Sequence, residues 1–276
     1  MKQGARRSWV RRIGPVVLAL LAACGLYLHS QYVPPILMYH RIDGRSAESA
    51  LSVSPESFER QMAFLSHHAR AVPLDRIVDR ILRDEPPERG AVAITFDDGF
   101  TSVYTQAYPV LLKYHLPATI FIVTDWVGTG EYLTWDQIHE MAAHGIDIGA
   151  HTLSHPWLPS LKLDHLYREV EDSRRILQEH VPGSARHFSY PFGAYDPTTK
   201  HAVRAAGYLS ACATNPGRRR SWSDPFALKR LRISRSSDNL FVLWIETSGY
   251  YTWLKEHRGK HFWRAKPAEP SGGQES

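Results

Sequence analysis

The chain has 276 residues, enough for one large α/β domain and a short tail, and carries 33 Lys and Arg against 28 Asp and Glu. Five of the basic residues (Lys2, Arg6, Arg7, Arg11 and Arg12) crowd into the first twelve positions, and setting them aside leaves 28 against 28. A body so near neutrality argues against nucleic-acid binding, and two cysteines, Cys24 and Cys212, exclude a disulfide-stapled scaffold.

The leading charges precede residues 13–28, sixteen positions without a charge, which reads as a basic n-region followed by an apolar h-region. Such a segment sends the chain across a membrane with its basic end on the cytoplasmic side. Two fates stay open. Leu21-Ala22-Ala23-Cys24 looks like a bacterial lipobox, which would make Cys24 a lipidated first residue. Gly25-Leu26-Tyr27-Leu28 instead prolongs the apolar run, as an uncleaved anchor would. Arg6-Arg7-Ser8-Trp9-Val10 is a faint twin-arginine pattern.

Short apolar runs then alternate with helical stretches. Strands are expected at 36–39, 91–96, 118–123, 146–150, 187–190 and 208–213, with a weaker one at 232–234. Ser54 caps a helix opening with Pro55, whose Phe58, Met62 and Leu65 share one face. Leu74, Ile77 and Ile81 make a shorter stripe. Thr134-Trp135-Asp136-Gln137 has capping-box form, and Gly145 ends that helix. Asp164 opens a long helix to about His180, and Asp196-Pro197 opens another that stops at Gly207. Cys212 reads as a buried small hydrophobe, and Arg218-Arg219-Arg220 as a solvated loop. This alternation implies parallel strands with helical crossovers, either a (β/α) barrel or an open doubly wound sheet. In both, ligands sit at the carboxyl ends of the strands.

Four strand ends carry chemistry. Asp97 and Asp98 follow the run at 91–96, and two adjacent carboxylates are tolerated best when a cation takes one of them. His151 and His155 leave the strand at 146–150, and share a face if the segment makes one helical turn. Two His and one carboxylate form a catalytic divalent-metal set. Ser189-Tyr190-Pro191-Phe192-Gly193 offers backbone N–H groups, and His40 ends the first strand. A second His pair, His257 and His261, follows no strand and reads as surface.

Thr95-Phe96-Asp97-Asp98-Gly99, His151-Thr152-Leu153-Ser154-His155-Pro156 and Tyr190-Pro191-Phe192-Gly193 together resemble the three motifs of the polysaccharide deacetylases, metal-dependent carbohydrate esterases. The likeness runs from about Pro35 to Arg235. It implies a distorted (β/α) barrel of about seven parallel strands, with Asp98, His151 and His155 as metal ligands and Asp97 as general base. Tyr190, Pro191, Phe192 and Gly193 would bind substrate, the Phe192 N–H helping to hold the oxyanion. The metal would be zinc, with cobalt, nickel or manganese also suited to the set. Two departures stand out. The Arg that often precedes the third motif is Ser189 here, leaving open which group orients Asp97, and no late Leu-x-His is visible. The opening Pro35-Ile36-Leu37-Met38-Tyr39-His40 resembles the biofilm poly-N-acetylglucosamine deacetylases, in which the acid His lies near the start, so His40 is assigned as general acid.

The expected activity is metal-dependent removal of N-acetyl groups from an N-acetylglucosamine polysaccharide, a hydrolysis of carbon–nitrogen bonds. A sugar-binding pseudoenzyme and a small-amide hydrolase of the same fold are the rivals. Tyr39, Trp126, Trp157, Phe192 and Tyr195 are expected at a sugar-stacking rim. Residues 1–33 would be the signal or anchor, 34–265 the catalytic domain and 266–276 a disordered tail. The protein is expected to be monomeric, extracytoplasmic and membrane-attached.

Overall fold

The computed structural model describes residues 17, 19–20, 22–44, 51–214, 224–233 and 235–251. The basic N-terminal residues, Arg218-Arg219-Arg220, Ser234, His257, His261 and the tail from 266 lie outside the described residues.

Among the described residues, eight parallel strands follow one another around the central sheet, β1 (Ile36–Tyr39), β2 (Ala91–Phe96), β3 (Thr119–Ile122), β4 (Asp147–Ala150), β5 (His187–Ser189), β6 (Ser210–Ala213), β7 (Leu228–Lys229) and β8 (Leu231–Arg232), and a ninth, the two-residue strand Arg70–Ala71, pairs with the start of β2 off that path. Their spatial order is β7-β6-β5-β4-β3-β2-β1-β8. The two edge strands are consecutive in the chain, separated by Arg230 alone, so one short segment pairs with β6 on one side and β1 on the other. The sheet is thereby nearly closed into a (β/α) barrel. The expected strands are present with ends trimmed, but the closing segment was anticipated only at 232–234. Two-residue strands are too short to show a period.

β1 and β2 are buried along their whole length, which is why they read as continuous apolar runs rather than alternating ones. One side of each strand meets the helices. There Tyr39 stacks on Phe96 and meets Phe58 edge-on, and its hydroxyl donates to Gln61. Tyr39 therefore belongs to the core and not to a sugar-binding rim.

The other side fills the barrel in layers, because residues two apart along a strand share a face. At the end where the strands begin, His187 bridges Ser210 and Asp75, and Asp147 accepts from Thr119. Phe121 fills the middle beside Gly149, where any Cβ would stand 2.5 Å from the Phe121 ring. Cys212 is buried in the same layer, its thiol pushed up to about 12 by burial. Polar groups return at the far end, where Thr95, Asp97, His151 and Ser189 face inward.

The helices obey their signals. Ser54 accepts from the Ser57 N–H ahead of the helix Pro55–His68, and Phe58, Met62 and Leu65 are fully buried. Capping boxes open both Trp135–Ala143 and Pro197–Ala205. The long helix starts one residue earlier than expected, at Leu163. Asp164 lies in its first turn, where a carboxylate favours the helix dipole without capping it. Among the described residues, no helix is long and apolar enough to cross a membrane.

Candidate active site

Asp97 and Asp98 leave the carboxyl end of β2. Asp98 (φ 72°) and Gly99 (φ 74°) both take left-handed backbone, which turns the chain sharply and aims the two carboxylates differently. A left-handed aspartate is a strained choice, held here by the packed strand behind it.

His151 leaves β4 beside β2's mouth end. The expected helical turn is absent: residues 151–157 are irregular, with Thr152 (φ 70°) and His155 (φ 62°) both left-handed. The His155 N–H donates to Thr152 Oγ1 at 2.9 Å, folding the loop back so that the two imidazole centroids lie 4.8 Å apart. Convergence comes from two left-handed residues instead of helical spacing.

The result is one donor cluster. A ligand atom each from Asp98, His151 and His155 lies within 4.8 Å of the others, the one such group of three among the described residues. His151 Nε2 stands 3.4 Å from Asp98 Oδ1 and His155 Nε2 stands 3.5 Å from it. The Ser189 carbonyl accepts from His151 Nδ1 at 2.7 Å. A carbonyl can only accept, so Nδ1 carries the proton and the Nε2 lone pair faces the cluster. Burial pushes His155 down to about 4, keeping its ring neutral. One carboxylate and two imidazole lone pairs suit a divalent ion such as zinc.

The group that orients Asp97 is Arg230, which the motif reading did not find. It sits between β7 and β8, wholly buried, and grips the carboxylate with both ends of its fork, Nη1 to Oδ1 at 2.6 Å and Nη2 to Oδ2 at 2.5 Å. The same fork donates to Ser189 Oγ at 2.8 Å and Thr95 Oγ1 at 3.2 Å. Ser189 thus occupies the position of the missing Arg in sequence, while Arg230 replaces it in space. Burial opposes ionisation of Asp97, but the charge of Arg230 and the Arg230 hydrogen bonds outweigh it, holding the carboxyl well below the ordinary range. The available signal is a Lys-Arg pair set in the otherwise apolar run Phe226-Ala227-Leu228-Lys229-Arg230-Leu231.

His40 leaves β1 close enough to feel both aspartates. Burial pushes its imidazole below the ordinary value, Asp97 and Asp98 pull it back, and Nδ1 is buried without a hydrogen-bond partner among the described residues.

The third motif splits between core and rim. Tyr190 is fully buried, its hydroxyl donating to the Phe226 carbonyl, and Pro191 is buried beside it, so neither side chain can meet a ligand. Phe192 is 62% exposed, meets His155 edge-on at 4.6 Å and neighbours Trp157 at 5.8 Å. A Cβ at Gly193 would fall 1.6 Å from Thr214 Oγ1, so only glycine permits this loop. Trp126 also neighbours His155, at 5.3 Å. Tyr195 stacks on Tyr190 and is half-buried.

Glu169, on the helix Leu163–His180, also escaped the sequence reading. Its carboxylate accepts from the N–H groups of Leu153 and Ser154 at 2.9 and 3.0 Å and from Ser154 Oγ at 2.6 Å. It clamps the loop between the two histidines. Glu169→Ala is expected to weaken zinc affinity about 10- to 100-fold, as loss of an outer-shell partner does, while Glu169→Gln recovers part of it. Competition with a chromophoric chelator measures both; unchanged affinity in Glu169→Ala would refute the clamp.

The family model for polysaccharide deacetylase matches residues 84–211. YxkH of Bacillus subtilis (strain 168), whose name places it among the polysaccharide deacetylases, is 36% identical over 77% of this chain and 76% of its own length. A poly-beta-1,6-N-acetyl-D-glucosamine N-deacetylase of Staphylococcus epidermidis is 29% identical over 75% of this chain and 73% of its own. Among solved structures, the deacetylase PplD of Streptococcus pyogenes, in complex with acetate, superposes with TM-score 0.69 at 28% identity, covering 81% of this chain and 98% of that one. IcaB from Ammonifex degensii superposes with TM-score 0.67 at 26% identity, covering 77% and 96%.

Proposed function

This chain belongs to the polysaccharide deacetylase family and is a hydrolase acting on carbon–nitrogen bonds, and from that premise we propose that it removes N-acetyl groups from a polymer of N-acetylglucosamine with the help of a divalent metal. The observation that carries this reading is the convergence of Asp98, His151 and His155 beside an Asp97 gripped by Arg230. A lone structural ion pair would need no imidazole pair, and a pseudoenzyme has no use for an intact donor set next to an ionised acid.

Asp98, His151 and His155 would hold the ion. When bound, such an ion lowers the pKa of water from 15.7 to about 7 and polarises a carbonyl oxygen. Asp97 is ionised well below neutral pH and accepts the proton of the attacking water. Its oxygens retain lone pairs beyond those Arg230 occupies. The Phe192 N–H donates to the amide oxygen as charge gathers there, an interaction of the oxyanion-hole kind. His40, in the imidazolium form that Asp97 and Asp98 favour, delivers a proton to the departing amine and returns to neutral imidazole, and the sugar amine and acetate leave. Phe192, Trp157 and Trp126 offer aromatic faces around the centre to the flat sides of sugar rings.

The choice of glycan rests on the relatives with poly-N-acetylglucosamine names and on the opening motif that ends in His40. Export across a membrane and attachment there, by lipid on Cys24 or by the apolar stretch 13–28, agree with such a substrate outside the cytoplasm. Acetate release from β-1,6-linked N-acetylglucosamine oligomers, with and without chelator, tests the reading. Release that chelator stops and zinc restores supports it, whereas binding without release would favour the pseudoenzyme. Asp97→Asn keeps the size and, through its single amide oxygen, one of the two Arg230 contacts, but cannot take a proton. It is expected to retain metal and lose about 10²- to 10⁴-fold in kcat; near-normal turnover would reassign the base.

A further inference from the structure

The helix Leu240–Glu246 buries Leu243 completely and turns three large apolar side chains outward. Leu240, Phe241 and Trp244 are 36%, 64% and 55% exposed, and the rings of Phe241 and Trp244 stack with centroids 5.8 Å apart. They lie outside the active-site cluster, so the reaction does not explain them. A contiguous exposed aromatic patch calls for a covering partner.

Both ends of the chain near this helix have the composition of lipid-facing sequence. Downstream, residues 252–266 hold Trp253, Phe262 and Trp263 with Lys255, Arg258, Lys260, Arg264 and Lys266, against the single acid Glu256. Basic residues interleaved with aromatics suit an anionic headgroup layer. Upstream, Tyr32 and Val33, just after the apolar N-terminal stretch, are stapled to the same helix's exit. The Val33 N–H donates to the Gly249 carbonyl at 3.0 Å, and the Tyr32 ring packs so closely on Gly249 that a Cβ there would fall 2.1 Å from it. Tyr32 also meets Tyr250 edge-on and holds the Gly90 N–H ahead of β2. Leu20 and Leu26, just upstream, are 65% and 72% exposed.

We propose that the outward face of the helix Leu240–Glu246, carrying Leu240, Phe241 and Trp244, seats on an anionic lipid bilayer beside the point where the N-terminal segment enters it. Lipid on Cys24 and an uncleaved apolar stretch would place the tether alike, since both lie shortly before Tyr32. That residue binds where β1 and β2 begin, whereas the metal cluster lies where β2 and β4 end. The catalytic mouth is therefore at the opposite end of the strands from the tether, open to polymer. The proposal rests on membrane attachment, but not on the choice of glycan or metal.

The test uses the full chain in vesicles of phosphatidylcholine and phosphatidylglycerol, with Cys24→Ser and a polarity-sensitive dye on Phe241→Cys, or on Trp244→Cys as a second variant. A reference dye sits on Thr129→Cys, exposed in the loop after β3. Lipids brominated along the acyl chain are expected to remove about half or more of the emission at 241 and 244, at the depth of an interfacial helix, and to leave 129 unchanged. A bound protein whose dyes at 241 and 244 escape quenching overturns the docking face alone. Failure of the parent chain, with Cys24 and its lipid retained, to co-sediment overturns it together with membrane attachment. Dyes already shielded in lipid-free protein would show that the chain covers the patch itself, which also overturns it.

Discussion

Arg230→Met is expected to reduce acetate release about 10²- to 10⁴-fold, the range lost with a general base, although Arg230 touches none of the three residues of the donor cluster. With the fork gone, Asp97 is a buried carboxylate beside Asp98 without its strongest counter-charge. It then takes up a proton and cannot accept another, or stays ionised at high cost. Breaking a buried pair by removing one partner typically costs about 3–5 kcal/mol of stability, so lower thermal stability is expected alongside. Arg230→Lys keeps the charge but offers a point in place of a fork, and falls between the two. The decisive measurement is kcat at saturating metal with bound zinc determined on the same sample. A full zinc complement with kcat within a few-fold of the parent would show that Asp97 needs no such partner.

His151→Ala is expected to abolish stoichiometric zinc uptake and activity together. It removes the Nε2 lone pair nearest Asp98 and frees the Ser189 carbonyl that sets the tautomer. A ligand that binds only the folded protein stabilises it by about 2.7 kcal/mol at a hundred times its dissociation constant. For a domain of this size that corresponds to about 5–10 °C in Tm. The parent should show this shift on adding zinc and lose it with chelator, and His151→Ala should show neither. A zinc-dependent shift surviving in both His151→Ala and Asp98→Ala would place the ion elsewhere and remove the basis of the proposed reaction.

The two variants separate binding from chemistry. Arg230 acts on the base, so its loss leaves the metal. His151 acts on the metal, so its loss leaves the Arg230–Asp97 pair intact. Opposite outcomes on zinc content, with activity lost in both, are what the arrangement requires.

Much of this is legible in the sequence, and for a local reason. Asp97, Asp98, His151 and Ser189 each sit at or just past the end of a strand, and in parallel α/β folds those ends share one mouth. Short apolar runs located the strands, and caps such as Ser54, Thr134 and Asp196 located the helices between them, because these signals act over a few residues. Cys212, as a buried small side chain, was legible in the same way.

What needed the tertiary structure was every contact between segments without periodic or capping signals. Nothing local marks Arg230 as the partner of Asp97: its strands are two residues each, and its fork finds the carboxylate only because that segment closes the barrel. Glu169 meets the loop between the histidines across a helix–loop contact that no spacing encodes. Tyr39 and Tyr190 sit beside mouth residues in the chain, yet strand alternation turns their rings away from the mouth into the core. The sequence by itself thus determined which residue types gather at the mouth. Closure of the barrel decided which of them touch, because chain folding alone brings distant positions within hydrogen-bond reach.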